Sequence, residues 1–188
     1  MIPIKVLVPS GVLGLGFDLE ALNNGVKNNP DIISIDGGST DSGPYSLGSG
    51  TSKYSRAAIK AEWKSLMIAR EKAKVPLVIG SCGTCGTNGM VDWMENITTE
   101  LAEELNQNIK IAKLYCQQEK NFIKKKFQLS KIFPLNPAPM LNGQLIEEMT
   151  NIVALAGAEQ IQECINTGAE IILACLLYTS DAADDLLC

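Results

Sequence analysis

The residues best equipped for chemistry lie together in Ser81-Cys82-Gly83-Thr84-Cys85-Gly86-Thr87-Asn88, small and polar side chains between an apolar run and a helical pattern. The glycines let a backbone turn tightly and leave its N–H groups accessible, while the hydroxyls and the amide add donors. Free amides at a helix start carry partial positive charge, so phosphate or carboxylate can bind there without Lys or Arg. Ordinary turn chemistry between a strand and a helix explains the same composition, and both readings stand at this point. Cys82 and Cys85 form C-x-x-C, which admits three readings. In the first, the helix start lowers the pKa of Cys82 and makes it a redox or nucleophilic thiol. In the second they bind zinc, but two further ligands are needed and the chain has no second C-x-x-C and no histidine. In the third the sulfur atoms are incidental to a loop of small side chains.

A second group is Asp36-Gly37-Gly38-Ser39-Thr40-Asp41-Ser42. Asp36 ends an apolar run, where a doubly wound sheet often places an acid that meets a ribose or another hydroxyl. Asp36 and Asp41 together also suit magnesium, which prefers carboxylate and hydroxyl oxygens. Either aspartate serves equally as a loop residue bonding nearby amides. A third group is Ser10, Gly11, Gly14 and Gly16, spaced G-x-x-G-x-G. That is the dinucleotide fingerprint reversed, so no nicotinamide is inferred and the cofactor stays unidentified. Close approach to a ligand and tight helix–strand packing both account for these glycines. The absence of histidine removes Ser-His-Asp and Cys-His pairs, leaving proton transfer to Asp, Glu, Lys, Tyr or Cys.

Positioning these groups requires regular elements, and the apolar spacing supplies them. Short apolar runs predict strands over 4–8, 32–35, 75–79, 109–115 and 170–174, with a further short strand over 151–154. Helical spacing predicts helices after the N-cap Asp18, over 55–74, 91–105, 144–150 and 157–167, and around Lys124 to Lys126. Residues 36–52 read as one long Gly- and Ser-rich loop. Alternating strands and helices imply an α/β fold with a Rossmann-like, mostly parallel sheet flanked by helices. In such a sheet the loops after the first three strands gather at the carboxyl edge. Residues 10–18, 36–42 and 81–88 are therefore expected to build one pocket for an organic acid, its CoA thioester or a nucleotide.

The 188 residues, 46% of them hydrophobic, suffice for one core. A net charge of −5 without a basic stripe argues against nucleic acid or an anionic membrane surface as partner. With neither a leader pattern nor an apolar run near ~18 residues, a cytoplasmic protein with free thiols is expected.

The segments SGVLGLGFD, IISIDGG and NIVALAGAEQIQECINTGAEIILA together resemble the N-terminal domain of the acyclic terpene utilisation protein A (AtuA) family, bacterial proteins associated with catabolism of branched isoprenoid acids. The resemblance covers residues 4–174, and DGGSTDSGPY and SCGTCGTNG look like a subgroup. It implies a catabolic enzyme or enzyme subunit acting on a branched or short organic acid or its CoA thioester. Asp36 or Asp41 would be the acid–base or metal-binding group, with the Cys82 region orienting the ligand. A non-catalytic subunit that binds a ligand or docks a partner is the alternative, as a homo-oligomer or within a complex. After Ala174 a glycine-arginine loop with an aspartate would be expected. Residues 175–188 instead resemble translated sequencing-adapter read-through. They are read as foreign, and 1–174 as a domain incomplete at its C-terminus.

Overall fold

Short runs of β-branched residues that bury both faces form strands, and the connecting stretches with helical periodicity fold over them. The computed structural model describes residues 3–38, 43–135, 137–138 and 140–177, so Ser39, Thr40, Asp41 and Ser42 lie outside the described residues. The strands are β1 (Val6–Leu7), β2 (Ile32–Asp36), β3 (Leu77–Gly80), β4 (Ile111–Leu114) and β5 (Ile171–Ala174). They form one parallel sheet in the order β1-β2-β3-β5-β4, with Ile33 opposite Leu77 and Ile79 opposite Leu173. The α/β, Rossmann-like expectation is met.

Helix starts follow the capping residues. Asp18 accepts from the Glu20 and Ala21 amides and opens α1 (Leu19–Lys27). After the short α2 (Tyr45–Ser49), Ser55 accepts from the Ala58 amide and opens α3 (Arg56–Ala73). Thr87 does the same for Met90 at the start of α4 (Asn88–Leu105). Lys74 and Asn106 close α3 and α4 in the left-handed conformation, at φ 57° and 51°. Beyond β4 come α5 (Lys120–Gln128), α6 (Gly143–Glu148) and α7 (Ala158–Asn166).

The two sheet faces are covered unequally. Alternate residues Ile33, Ile35, Leu77, Ile79, Ile171 and Leu173 face a layer built from α1, α3 and α4. Trp63 is fully buried there and donates its indole N–H to Thr98 Oγ1 at 2.9 Å, so its polar atom is satisfied. The residues between them, among them Val78 and Ile172, face Ile161 and Ile165 of α7. That helix packs on β4 and β5. Over β1 and β2 the same face is an open groove of about 430 Å³ lined by Val6, Ile32, Ser34 and Leu177.

Three local expectations change. β1 is only two residues long, because Ile4, Val6 and Val8 at the sheet's edge stay 77%, 55% and 57% exposed and bury little apolar surface. The 36–52 connection contains α2, a single turn closed by Gly50 at φ 67°. Residues 151–154 form no strand: Val153 makes one antiparallel bridge to Gln117, flanked by Gln118 N–H to Ile152 O at 2.7 Å and Ala154 N–H to Cys116 O at 2.9 Å. Among the described residues no helix is long and apolar enough to cross a membrane.

Candidate functional site

Because every strand runs parallel, the loops after β1, β2 and β3 do meet at one edge, and backbone hydrogen bonds knit them together. Leu13 N–H donates to Asp36 O at 2.8 Å, Gly37 N–H to Gly80 O at 2.7 Å and Thr84 N–H to Gly37 O at 3.0 Å. Gly37 and Gly38 permit this closeness. A Cβ on Gly37 would stand 2.6 Å from Ser81 O, and one on Gly38, at φ 132°, would stand 2.8 Å from Thr84 Cα.

The same contacts spend the donors that the sequence reserves for a guest. Gly14 and Gly16 donate to the two carboxylate oxygens of Glu62, at 2.7 and 2.8 Å. Ser10 Oγ turns back to Val12 O at 3.3 Å, and Gly11 is exposed. Asp36, at the end of β2, accepts from the Gly38 amide at 3.0 Å, a local loop bond. Thr84 Oγ1 accepts from the Lys53 amide at 3.1 Å. Asp41, its proposed companion in holding a metal, lies outside the described residues, as do Ser39 and Thr40.

The central loop is buried from Ser81 through Thr87. Ser81 and Cys82 donate their amides to Cys175 O and Ala174 O, at 2.8 and 3.1 Å, and Gly86 donates to Cys82 O at 3.0 Å. Gly86 sits at φ 58° directly beneath the Leu176 backbone, and Gly83, at φ 59°, beneath Met90. Cys85 is buried, its sulfur 3.6 Å from Thr87 Oγ1. Cys82 is 0% exposed, and burial pushes its thiol pKa upward, with the nearby Asp36 and Cys85 pushing the same way. The expected depression is therefore reversed. The position adjoins a helix start, but removal from water outweighs the helix dipole. The five described cysteines are free thiols.

The open space on this edge lies one step further along. The connection leaving β3 enters α4 on the three-helix face, whereas the one leaving β4 leads through α5 and α6 to α7 on the other. Open α/β sheets bind ligands where connections diverge in this way. A cleft of about 480 Å³ stands there. Its walls are Asn88 at the start of α4, Gln117 to Asn121 entering α5, Glu147 in the last turn of α6, and Thr150 and Ile152 beyond it. Asn88 and Gln117 grip one another: Asn88 N–H donates to Gln117 Oε1 at 3.2 Å, and Gln117 N–H to Asn88 Oδ1 at 3.3 Å. Gln117 Nε2 continues to Asn151 Oδ1 at 3.2 Å, and Asn151 Nδ2 to Leu47 O at 2.7 Å. Lys120 reaches across to Glu147 O at 2.8 Å, and the Lys124–Glu147 pair, at 2.7 Å, holds Glu147's carboxyl below its ordinary range.

Of the sequence-designated residues, only Asn88 lines this cleft. Gln117 and Lys120 stand in QQEKN and Glu147 in QLIEEM, both of which read as wet surface. The only available signal was the polar stop after the strand at 109–115. Among the described residues no cluster of three or more Cys, Asp and Glu is placed to hold a metal ion.

The fold and this cleft together define a parallel, Rossmann-like α/β domain with a polar crevice at its carboxyl edge. No protein family, curated protein or solved structure matches the chain.

Proposed function

We propose that this chain is the ligand-binding α/β domain of a catabolic protein of the AtuA type, taking a branched or short organic acid, its CoA thioester or a nucleotide at the carboxyl edge. The supporting observation is the cleft between the first turns of α4 and α5. Two helix starts face it, Lys120 brings a positive charge alongside the carboxylates of Glu119 and Glu147, the latter already paired with Lys124, and Asn88 and Gln117 bring amides able to read oxygens. Helix starts favour anionic groups, and a cation nearby adds to that preference. In the catalytic version a ligand anchored in the cleft extends along the rim to Asp36 or Asp41, which moves the proton, and the buried central loop fixes the shape of the rim.

One observation favours the alternative, a binding subunit without chemistry of its own. Burial keeps Cys82 protonated and out of reach, so the rim lacks its most nucleophilic candidate.

Native mass spectrometry and calorimetry with short and branched acyl-CoA esters, their free acids and nucleotides test the reading. Lys120→Ala is expected to weaken binding about fivefold, the equivalent of ~1 kcal/mol. A retained ligand recovered unchanged selects the binding subunit, whereas turnover that disappears in Asp36→Asn with affinity preserved selects the enzyme. If Lys120→Ala and Asn88→Ala bind every retained compound as tightly as the parent, the cleft is not the site.

A further inference from the structure

The loop between β1 and α1 carries a second set of converging backbone donors, separate from the cleft. Gly14 and Gly16 aim two backbone N–H groups at one carboxylate, that of Glu62 in α3, each meeting a different oxygen, at 2.7 and 2.8 Å. Both glycines have positive φ, 107° and 87°, a region L side chains rarely adopt, so their conformation turns the two donors toward a common point. The loop is anchored independently on either side. Leu13 is fully buried and its amide donates to Asp36 O at 2.8 Å, Phe17 packs against the core and Asp18 caps α1. Its outer side is open at Gly11 and Gly16, where nothing lies within 4 Å of a Cβ position, whereas Tyr54 covers Gly14.

A carboxylate bridged by two amides is the chemistry by which a protein recognises a small organic acid. Here the chain provides the acid itself. We propose that the β1–α1 loop is a carboxylate receptor kept filled by Glu62, an internal competitor that a free carboxylate must displace. Both donors converging on one carboxylate, in a loop already held at Leu13 and Phe17, favours a receptor. Tethering sets the strength of the competition: an intramolecular group acts at an effective concentration in the roughly millimolar range or above, so a dilute ligand loses to it.

Amide NMR on the full chain, with sodium acetate as probe and sodium chloride at equal ionic strength as control, reads the outcome at Gly14 and Gly16. In the parent both signals should stay nearly still, whereas in Glu62→Ala they should shift saturably, with apparent affinity at least about tenfold tighter than in the parent. Glu62→Gln, which keeps one acceptor oxygen, should fall between and serves if Glu62→Ala does not fold. Unmoved glycine signals in a folded variant overturn the proposal, as do equal responses in parent and variant or a chloride response matching acetate. Loss of the fold in both variants assigns Glu62 a purely structural role and overturns it too. Neither substitution touches the cleft, so this result and that of the cleft experiment stand apart.

Discussion

The two halves of the carboxyl rim solve opposite problems with opposite residues. After β1, β2 and β3 the rim is built from glycine, serine, threonine and cysteine, and these small residues let three loops close on one another until little but backbone remains between them. After β4 the rim is built from glutamine, asparagine, lysine and glutamate, whose length holds the segments apart and leaves a crevice. Small residues at a strand end signal close approach, but not what approaches. Here the partner is the protein itself: Gly80 O, Gly37 O, Glu62 and the Leu176 backbone.

The largest effect that sharpens this contrast comes from adding one side chain to the closed half. Gly86→Val combines a positive φ with a Cβ overlapping the Leu176 backbone, and should cost roughly 3 kcal/mol or more, read from the urea midpoint. A neutral result would show that Leu176 does not cover the loop. Comparable in size by about pH 10 is an alkaline loss of stability. Cys82 and Cys175 have thiol pKa values raised by burial, so above the unfolded-chain value of ~8.5 the unfolded chain sheds protons that the folded one keeps. Their stabilisation is full below that pH and falls as pH rises, with a limiting slope of ~1.4 kcal/mol per pH unit for each thiol. Denaturation between pH 8 and 10 measures it, and a flat profile would contradict their burial. In the open half Gln117→Ala should cost less than about 1 kcal/mol, since Gln117 is exposed, while loosening Asn88 and weakening cleft ligands several-fold. Smallest of all is Glu104→Gln in the surface ladder Lys60–Glu104–Lys64, whose effect on Tm should shrink further with added salt.

What the sequence reveals follows from how local the cause is. α3 was legible to within a residue at each end because Ser55 and Lys74 bound it and Ile59, Trp63 and Leu66 recur on its buried face. The convergence of three loops was legible from parallel strands alone. The closing of their donors was not, since Glu62 stands 46 residues beyond Gly16 and reads as one exposed acid among many on a helix. Equally hidden was the insertion of β5 between β3 and β4. That insertion separates the connections and creates the cleft, and no feature within 75–115 announces it. Cys82 misled for a related reason: its sequence neighbours describe a helix start, but its spatial neighbours, Ala174 at the end of β5 and Cys175 just beyond it, lie nearly a hundred residues on.

The uneven cladding of the sheet also dictates how this architecture can be extended. Crossovers between parallel strands are almost always right-handed. Here the rightward steps from β1 to β4 filled one side, and the leftward return through α7 began the other. Any strand joined outside β1 by a chain arriving from β5 must travel leftward again, laying its connecting helix over Val6, Ile32 and Ser34. An evolutionary or engineered addition at that border therefore comes with its roof already assigned, whereas one beyond β4 would have to compete for the side that α4 already occupies.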